Sequence, residues 1–202
     1  QSSRPNGVLI ISGYLRRGFA DLGPLSLTAS LAFEQSYAGV DGDSASIAEV
    51  VALMSELSSI PVDQGIAITG SINQHGEVQP VGGVNEKIAG FHALCAARGL
   101  DGHHGVVLPR RNMPDLMLEP DVVADVNDGR FTVFGVNTVE DALEIALDAP
   151  IATIEQAVRD RLAEYSRALA EAPGGDLAPS GGTAQPPSTP VPGASLPARA
   201  GR

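Results

Sequence analysis

The pattern of hydrophobic and polar residues predicts a chain in which strands and helices interleave. Short apolar runs or period-two alternation predict strands at residues 7–12, 25–37, 66–72, 77–79, 105–109 and 131–135. Apolar residues at helical spacing predict helices at residues 46–58, 84–98, 138–148 and 151–171, with a weaker helical stretch near 119–126. This order of elements predicts an α/β fold of mixed (α+β) type, formed by one domain over residues 1–171.

The same pattern indicates where the helices begin and end and which positions they bury. Ser46-x-x-Glu49 matches a capping box, so Ser46 is the predicted N-cap of the helix over 46–58. Gly99 is predicted to end the second helix, and Thr138 to cap the third. The predicted buried positions are Ile47, Val50, Val51, Met54 and Leu57, then Val84, Ile88, Phe91 and Cys95, and finally Ile154, Val158, Leu162, Tyr165 and Leu169.

Residues 172–202 differ in composition from the rest of the chain. They consist mostly of Pro, Gly, Ser, Thr and Ala, with few residues that could form a core. A segment of this kind buries too little apolar surface to offset the loss of chain entropy on folding. We therefore expect residues 172–202 to form a disordered tail.

Composition narrows the classes of function. The chain has 202 residues, 43% of them hydrophobic, and a net charge of −11, so we expect a soluble, cytoplasmic protein that does not bind nucleic acid. Cys95 is the only cysteine, which excludes an intrachain disulfide and a multi-cysteine metal site. No apolar stretch reaches the length of a membrane span, and no P-loop motif is present, so neither a membrane partner nor a nucleotide bound by this chain is expected.

The segment GVDGDSAS, residues 39–46, carries the first candidate for chemistry. If Ser46 caps the helix, Ser44 lies just outside it on a tight turn with small neighbours. Backbone N–H groups of Ser44 and Ala45 at such a turn could form an oxyanion hole. A serine hydroxyl is nevertheless a weak nucleophile until a neighbouring base accepts its proton.

Lys87 is the leading candidate for that base. It is the only lysine among 13 basic residues and lies in the first turn of a predicted helix, after Gly82 and Gly83. The positive end of the helix dipole disfavours a charged lysine there, and apolar Ile88 and Phe91 would add to this effect. The four histidines, His75, His92, His103 and His104, remain alternatives, although His92 beside an apolar stripe is typical of a core histidine.

Three segments together resemble the proteolytic domain of the Lon protease family. They are GVDGDSAS, TGSINQHGEVQPVGGVNEKIAGF from Thr69, and GVVLPRRNMPDL from Gly105, within a resemblance that covers about residues 7–148. In this resemblance Ser44 matches the family's nucleophile and Lys87 its catalytic lysine, while Thr69 matches a hydroxyl that helps to hold the lysine. The implied fold is a compact Lon-type α/β domain, similar to domain 2 of ribosomal protein S5.

Departures from the common bacterial form point to the B-type, Lon-related branch. That form has Pro, Gly and Glu where this chain has Asp43, Ser46 and Ser71. In the B-type branch an acidic residue beside the dyad can interact with the lysine, which implies a supporting role for Asp43. The resemblance also implies a homohexameric ring that degrades unfolded or regulatory polypeptides. ATP and Mg²⁺ would serve an ATPase module outside this chain, and no cofactor or metal is implied for this domain.

The resemblance is compatible with several functions. The leading one is a serine endopeptidase of an ATP-dependent Lon protease. The alternatives are an ATP-independent Lon-like peptidase and a ring-forming scaffold or holdase whose dyad is silent. A self-cleaving Ser-Lys repressor protease is disfavoured, because the chain has no DNA-binding segment.

Overall fold

Six α-helices and five β-strands form the part of the chain that the computed structural model describes, residues 6–22 and 43–171. The helices are α1 (Asn6–Gly18), α2 (Ser46–Ser58), α3 (Val84–Arg98), α4 (Pro120–Asn127), α5 (Val139–Leu147) and α6 (Ile151–Glu171). The strands are β1 (Ile66–Ile68), β2 (Ser71–Ile72), β3 (Val78–Gln79), β4 (His104–Pro109) and β5 (Phe131–Val136). Short 3₁₀ turns lie at Ala20–Leu22, Asp43–Ala45 and Arg110–Asp115. The predicted strand at 25–37 and the predicted tail at 172–202 lie outside the described residues.

The strands form two separate sheets. β1, β4 and β5 make a parallel sheet in the order β1-β4-β5, with Ile66 opposite Gly105 and His104 opposite Phe131. β2 and β3 form an antiparallel hairpin, with Ser71 opposite Gln79. Together with the packed helices, these sheets confirm the predicted mixed α/β fold.

Successive side chains of β4 point to opposite faces of the parallel sheet and so divide the core in two. Val107 joins a large cluster formed with buried residues of α2, α5 and α6. Val106 and Leu108 join a second cluster with Ile88 of α3 and Val122 of α4. The parallel sheet therefore lies between two groups of helices, and β4 at its centre is buried from Gly105 to Pro109.

Most helix predictions are confirmed. α2 has the predicted bounds and buries all five predicted apolar positions. Gly99 ends α3, and Thr138 caps α5 through a reciprocal capping box with Asp141. In α6 only the first three predicted positions are buried, since Tyr165 and Leu169 are exposed.

Two strand predictions are wrong. Residues 7–12 belong to α1, because a short apolar run is compatible with either structure and this one continues into Tyr14 and Leu15, which pack in the main core. The run at 66–72 forms two strands rather than one. β1 pairs with β4 and β2 pairs with β3, and the chain changes sheet at Thr69 and Gly70.

Candidate active site

The turn that carries Ser44 is held to the connection between β1 and β2. Ser44 is half-buried in the 3₁₀ turn Asp43–Ala45, and its carbonyl oxygen accepts a hydrogen bond of 2.8 Å from the backbone N–H of Gly70. The N–H of Ile47 donates in return to the Gly70 carbonyl at 3.3 Å. A side chain at Gly70 would collide with the buried Ile47 side chain, so glycine permits this close approach.

Thr69 links the serine turn to Lys87. Its backbone N–H donates to the carbonyl of Val107 in β4 at 3.0 Å, and its side chain is buried. The Thr69 hydroxyl accepts a hydrogen bond from Lys87 Nζ at 2.9 Å and donates to the Ser44 carbonyl at 3.4 Å. Lys87, Thr69 and Ser44 are therefore joined by a chain of two hydrogen bonds, although they lie far apart in sequence.

Lys87 reaches Thr69 from the first turn of α3. Gly83 immediately precedes this helix with a left-handed φ of 68°, and the N–H of Lys87 donates to the Gly83 carbonyl at 3.1 Å. Lys87 itself is an exposed residue, whereas Ile88 is fully buried and Phe91 packs beside it in the second core cluster. Ile88 and Phe91 serve the core behind the helix, and the expectation that they add to the effect of the helix dipole on Lys87 stays a prediction.

Two acidic side chains, Asp43 and Glu49, lie close to each other at the start of α2. Burial and the neighbouring Asp43 charge raise the pKa of the Glu49 carboxyl. In the part of the chain that the structure describes, Asp43 forms no ion pair with Lys87. A supporting role for Asp43 stays a prediction, as does an oxyanion hole formed by the N–H groups of Ser44 and Ala45.

The predicted capping box at the start of α2 is wrong. Ser46 is the first residue of the helix, Ala45 precedes it, and no side chain caps the end. Ser46 Oγ instead donates to the carbonyl of Asp43 at 2.7 Å. Ser46 therefore stabilises the turn on which Ser44 lies, and it is more deeply buried than Ser44.

None of the four histidines hydrogen-bonds to Ser44 in residues 6–22 and 43–171. His92 is buried between α3 and α4, where its Nε2 lies 2.6 Å from Asp125 Oδ2 and its ring meets Phe131 edge-on. Arg130 Nη2 lies 2.5 Å from the other carboxylate oxygen of Asp125. These contacts make His92 a partnered core residue, as its position beside an apolar stripe indicates.

Sequence reasoning missed two asparagines that hold the chain around the start of α3. Asn112 forms two hydrogen bonds with the backbone of Val81, and Asn85 accepts one from the N–H of Met117. Both contacts link the start of α3 to the turn after β4. The only sequence signals were the positions of Asn85 and Asn112 within the second and third Lon-like segments.

Comparison with known proteins identifies the family of this domain. Residues 36–149 match the family model of the Lon protease (S16) C-terminal proteolytic domain, which is more than half of the chain. The chain belongs to the Lon protease family.

Relatives from bacteria and archaea agree with this membership. A putative Lon protease homolog of Escherichia coli is 44% identical over 80% of this chain, and one of Haemophilus influenzae is 48% identical over 60%. An archaeal Lon protease of Thermococcus kodakarensis is 40% identical over 58%. The chain spans only 28%, 20% and 17% of the lengths of these three relatives, respectively.

The described residues of this Lon-type proteolytic domain contain neither a membrane-spanning helix nor a metal-binding cluster. No helix within the described segments has the length and apolar character needed to cross a membrane. The same residues contain no group of three or more His, Cys, Asp or Glu side chains arranged to hold a metal ion.

Proposed function

We propose that this chain is the proteolytic domain of a serine endopeptidase with a Ser-Lys dyad. The observation that carries the proposal is the 2.9 Å hydrogen bond from Lys87 Nζ to Thr69 Oγ1, because the same hydroxyl contacts the carbonyl of Ser44. It brings the only lysine of the chain to the turn of the candidate nucleophile.

In the proposed reaction, neutral Lys87 accepts the proton of the Ser44 hydroxyl as Ser44 Oγ attacks the scissile carbonyl carbon. The resulting ammonium then donates a proton to the leaving amine, and the peptide C–N bond breaks to leave an acyl-enzyme. Water, activated by the same lysine, hydrolyses the ester and restores the serine. Thr69 keeps the amine in place throughout this cycle.

The proposal extends to the longer protein of which this domain would be part. As the relatives are named Lon protease, we infer an ATP-dependent machine of the cytoplasm that degrades unfolded or regulatory polypeptides, with six proteolytic domains in a ring. ATP and Mg²⁺ would bind its ATPase module, and Asp43 would modulate the dyad as in the B-type branch. An ATP-independent Lon-like peptidase and a catalytically silent scaffold are the alternatives.

Casein cleavage by matched serine variants tests the proposal. Ser44→Ala should abolish cleavage and leave the circular dichroism spectrum unchanged, because it removes one half-buried hydroxyl. Ser46→Ala is the control two residues away: it removes the hydrogen bond to Asp43 and should lower the rate only in part. If Ser46→Ala abolishes cleavage and Ser44→Ala does not, the wrong serine has been assigned. If the parent chain shows no cleavage that depends on Ser44, the silent scaffold is favoured.

A further inference from the structure

The loop before α3, residues 80–83, is held by the side chain of Asn112. The Asn112 amide oxygen accepts a hydrogen bond from the Val81 N–H, and its amide nitrogen donates to the Val81 carbonyl, both at 3.0 Å. Val81 lies beyond the end of the β2–β3 ladder. One side chain thus satisfies both backbone groups of Val81, as a neighbouring strand would do.

Asn85 provides a second contact between the same two regions. It lies in the first turn of α3, two residues before Lys87, and its amide oxygen accepts a 2.9 Å hydrogen bond from the N–H of Met117. The two asparagines therefore hold the chain on both sides of the Gly82-Gly83 turn. Glycine at both positions leaves this turn with large conformational freedom unless its ends are fixed.

The contacts of the two asparagines affect the position of the Lys87 amine. Lys87 has a long, flexible side chain, is exposed, and reaches Thr69 through one hydrogen bond. Where its Nζ lies thus depends on how the first turn of α3 is placed relative to Thr69, which is anchored to β4. Asn112 follows β4 by three residues, so it couples the loop to the strand that also holds Thr69.

We propose that Asn112 and Asn85 are positioning residues of the Ser-Lys reaction, which act by fixing the start of α3 and hence the Nζ of Lys87. This inference rests on the proposed function for its kinetic consequence. Its structural part, the placement of the lysine amine, can be measured without proteolysis.

Asn112→Asp is the informative substitution, since it is nearly isosteric and keeps the acceptor for the Val81 N–H. It replaces the amide donor by a carboxylate oxygen that repels the Val81 carbonyl. Because a displacement of about 1 Å can cost up to about 100-fold in rate, we expect kcat for casein to fall about tenfold or more, with KM changed less than about twofold.

Asn73→Ala is the matched control. Asn73 also pins a loop by accepting from two backbone N–H groups, those of His75 and Glu77, but in the turn between β2 and β3. It should leave kcat within about twofold of the parent, since this turn is not one of the segments that Asn112 and Asn85 hold in place. Asn85→Ala should act like Asn112→Asp and provides a second test if the Asp variant folds poorly.

The single lysine allows a second readout in the 202-residue chain. Labelling with ¹⁵Nζ,¹³Cε-lysine gives a side-chain NMR signal from Lys87 alone. We expect this signal to shift in Asn112→Asp and Asn85→Ala and to stay in place in Asn73→Ala. An unmoved signal in both Asn112→Asp and Asn85→Ala would overturn the inference even if kcat falls, because the effect would then not act through the lysine.

The two readouts separate this inference from the proposed function. If the parent chain shows no cleavage that depends on Ser44, the proposed function fails, and the lysine signal alone decides the inference. If the parent is active and both Asn112→Asp and Asn85→Ala keep its kcat, the inference is wrong. It is also wrong if Asn73→Ala lowers kcat as much as they do.

Discussion

Replacement of Thr69 by valine tests the hydrogen-bond chain of the candidate site most directly. Valine has nearly the shape of threonine, so the buried site keeps its packing and loses only the hydroxyl. The change removes the 2.9 Å bond from Lys87 Nζ and the longer 3.4 Å bond to the Ser44 carbonyl. The Ser44 carbonyl keeps its 2.8 Å hydrogen bond from the Gly70 N–H. The substitution therefore affects mainly Lys87, which loses its hydrogen bond to the Thr69 hydroxyl.

The expected magnitude follows from the cost of leaving a hydrogen-bonding group without its partner. That cost is about 1–3 kcal/mol, and each 1.4 kcal/mol of barrier changes a rate about tenfold. Thr69→Val should therefore lower kcat about 10–100-fold, less than the loss of the base itself. The melting temperature should fall by only a few degrees, because the backbone bond from Thr69 to Val107 remains.

Initial rates on fluorescent casein, fitted for kcat and KM, measure this effect beside scanning calorimetry. Thr69→Ser is the matched control, as it keeps the hydroxyl and removes only a methyl group. A Thr69→Val variant with the parent kcat would remove Thr69 from the mechanism. Equal losses in the serine and valine variants would show that packing, and not the hydroxyl, positions Lys87.

Two further predictions concern the base and the buried hydrogen bond between His92 and Asp125. Lys87→Arg should be as inactive as Lys87→Ala, because guanidinium stays protonated and cannot accept the serine proton. Casein cleavage by both variants measures this, and an active Arg variant would favour one of the four histidines as the base. Asp125→Ala should lower the free energy of unfolding by about 1–3 kcal/mol in urea titrations, since it leaves buried His92 without its hydrogen-bond partner. Asp128→Ala removes only an exposed contact to Arg130 and should cost less than about 1 kcal/mol; equal costs would contradict the assignment of His92 and Asp125 as a buried pair.

Several elements follow from the sequence alone because their determinants are local. The helix over 46–58 is specified by apolar residues at helical spacing, and the start of α5 by a cap between Thr138 and Asp141. Gly99 ends α3 without help from distant residues. The candidate site residues Ser44 and Lys87 are also readable from sequence, since a serine on a tight turn and a lone lysine at a helix start are unusual placements.

Only the tertiary structure decided those elements and site contacts that depend on residues distant in sequence. The apolar run at 7–12 fits a strand or a helix equally well, and packing of α1 against the core selects the helix. The run at 66–72 is divided because each half finds a different strand to pair with. Ser44, Thr69 and Lys87 are separated by 25 and 18 residues, so only tertiary packing could bring the turn before α2, the β1–β2 connection and the start of α3 within hydrogen-bond distance.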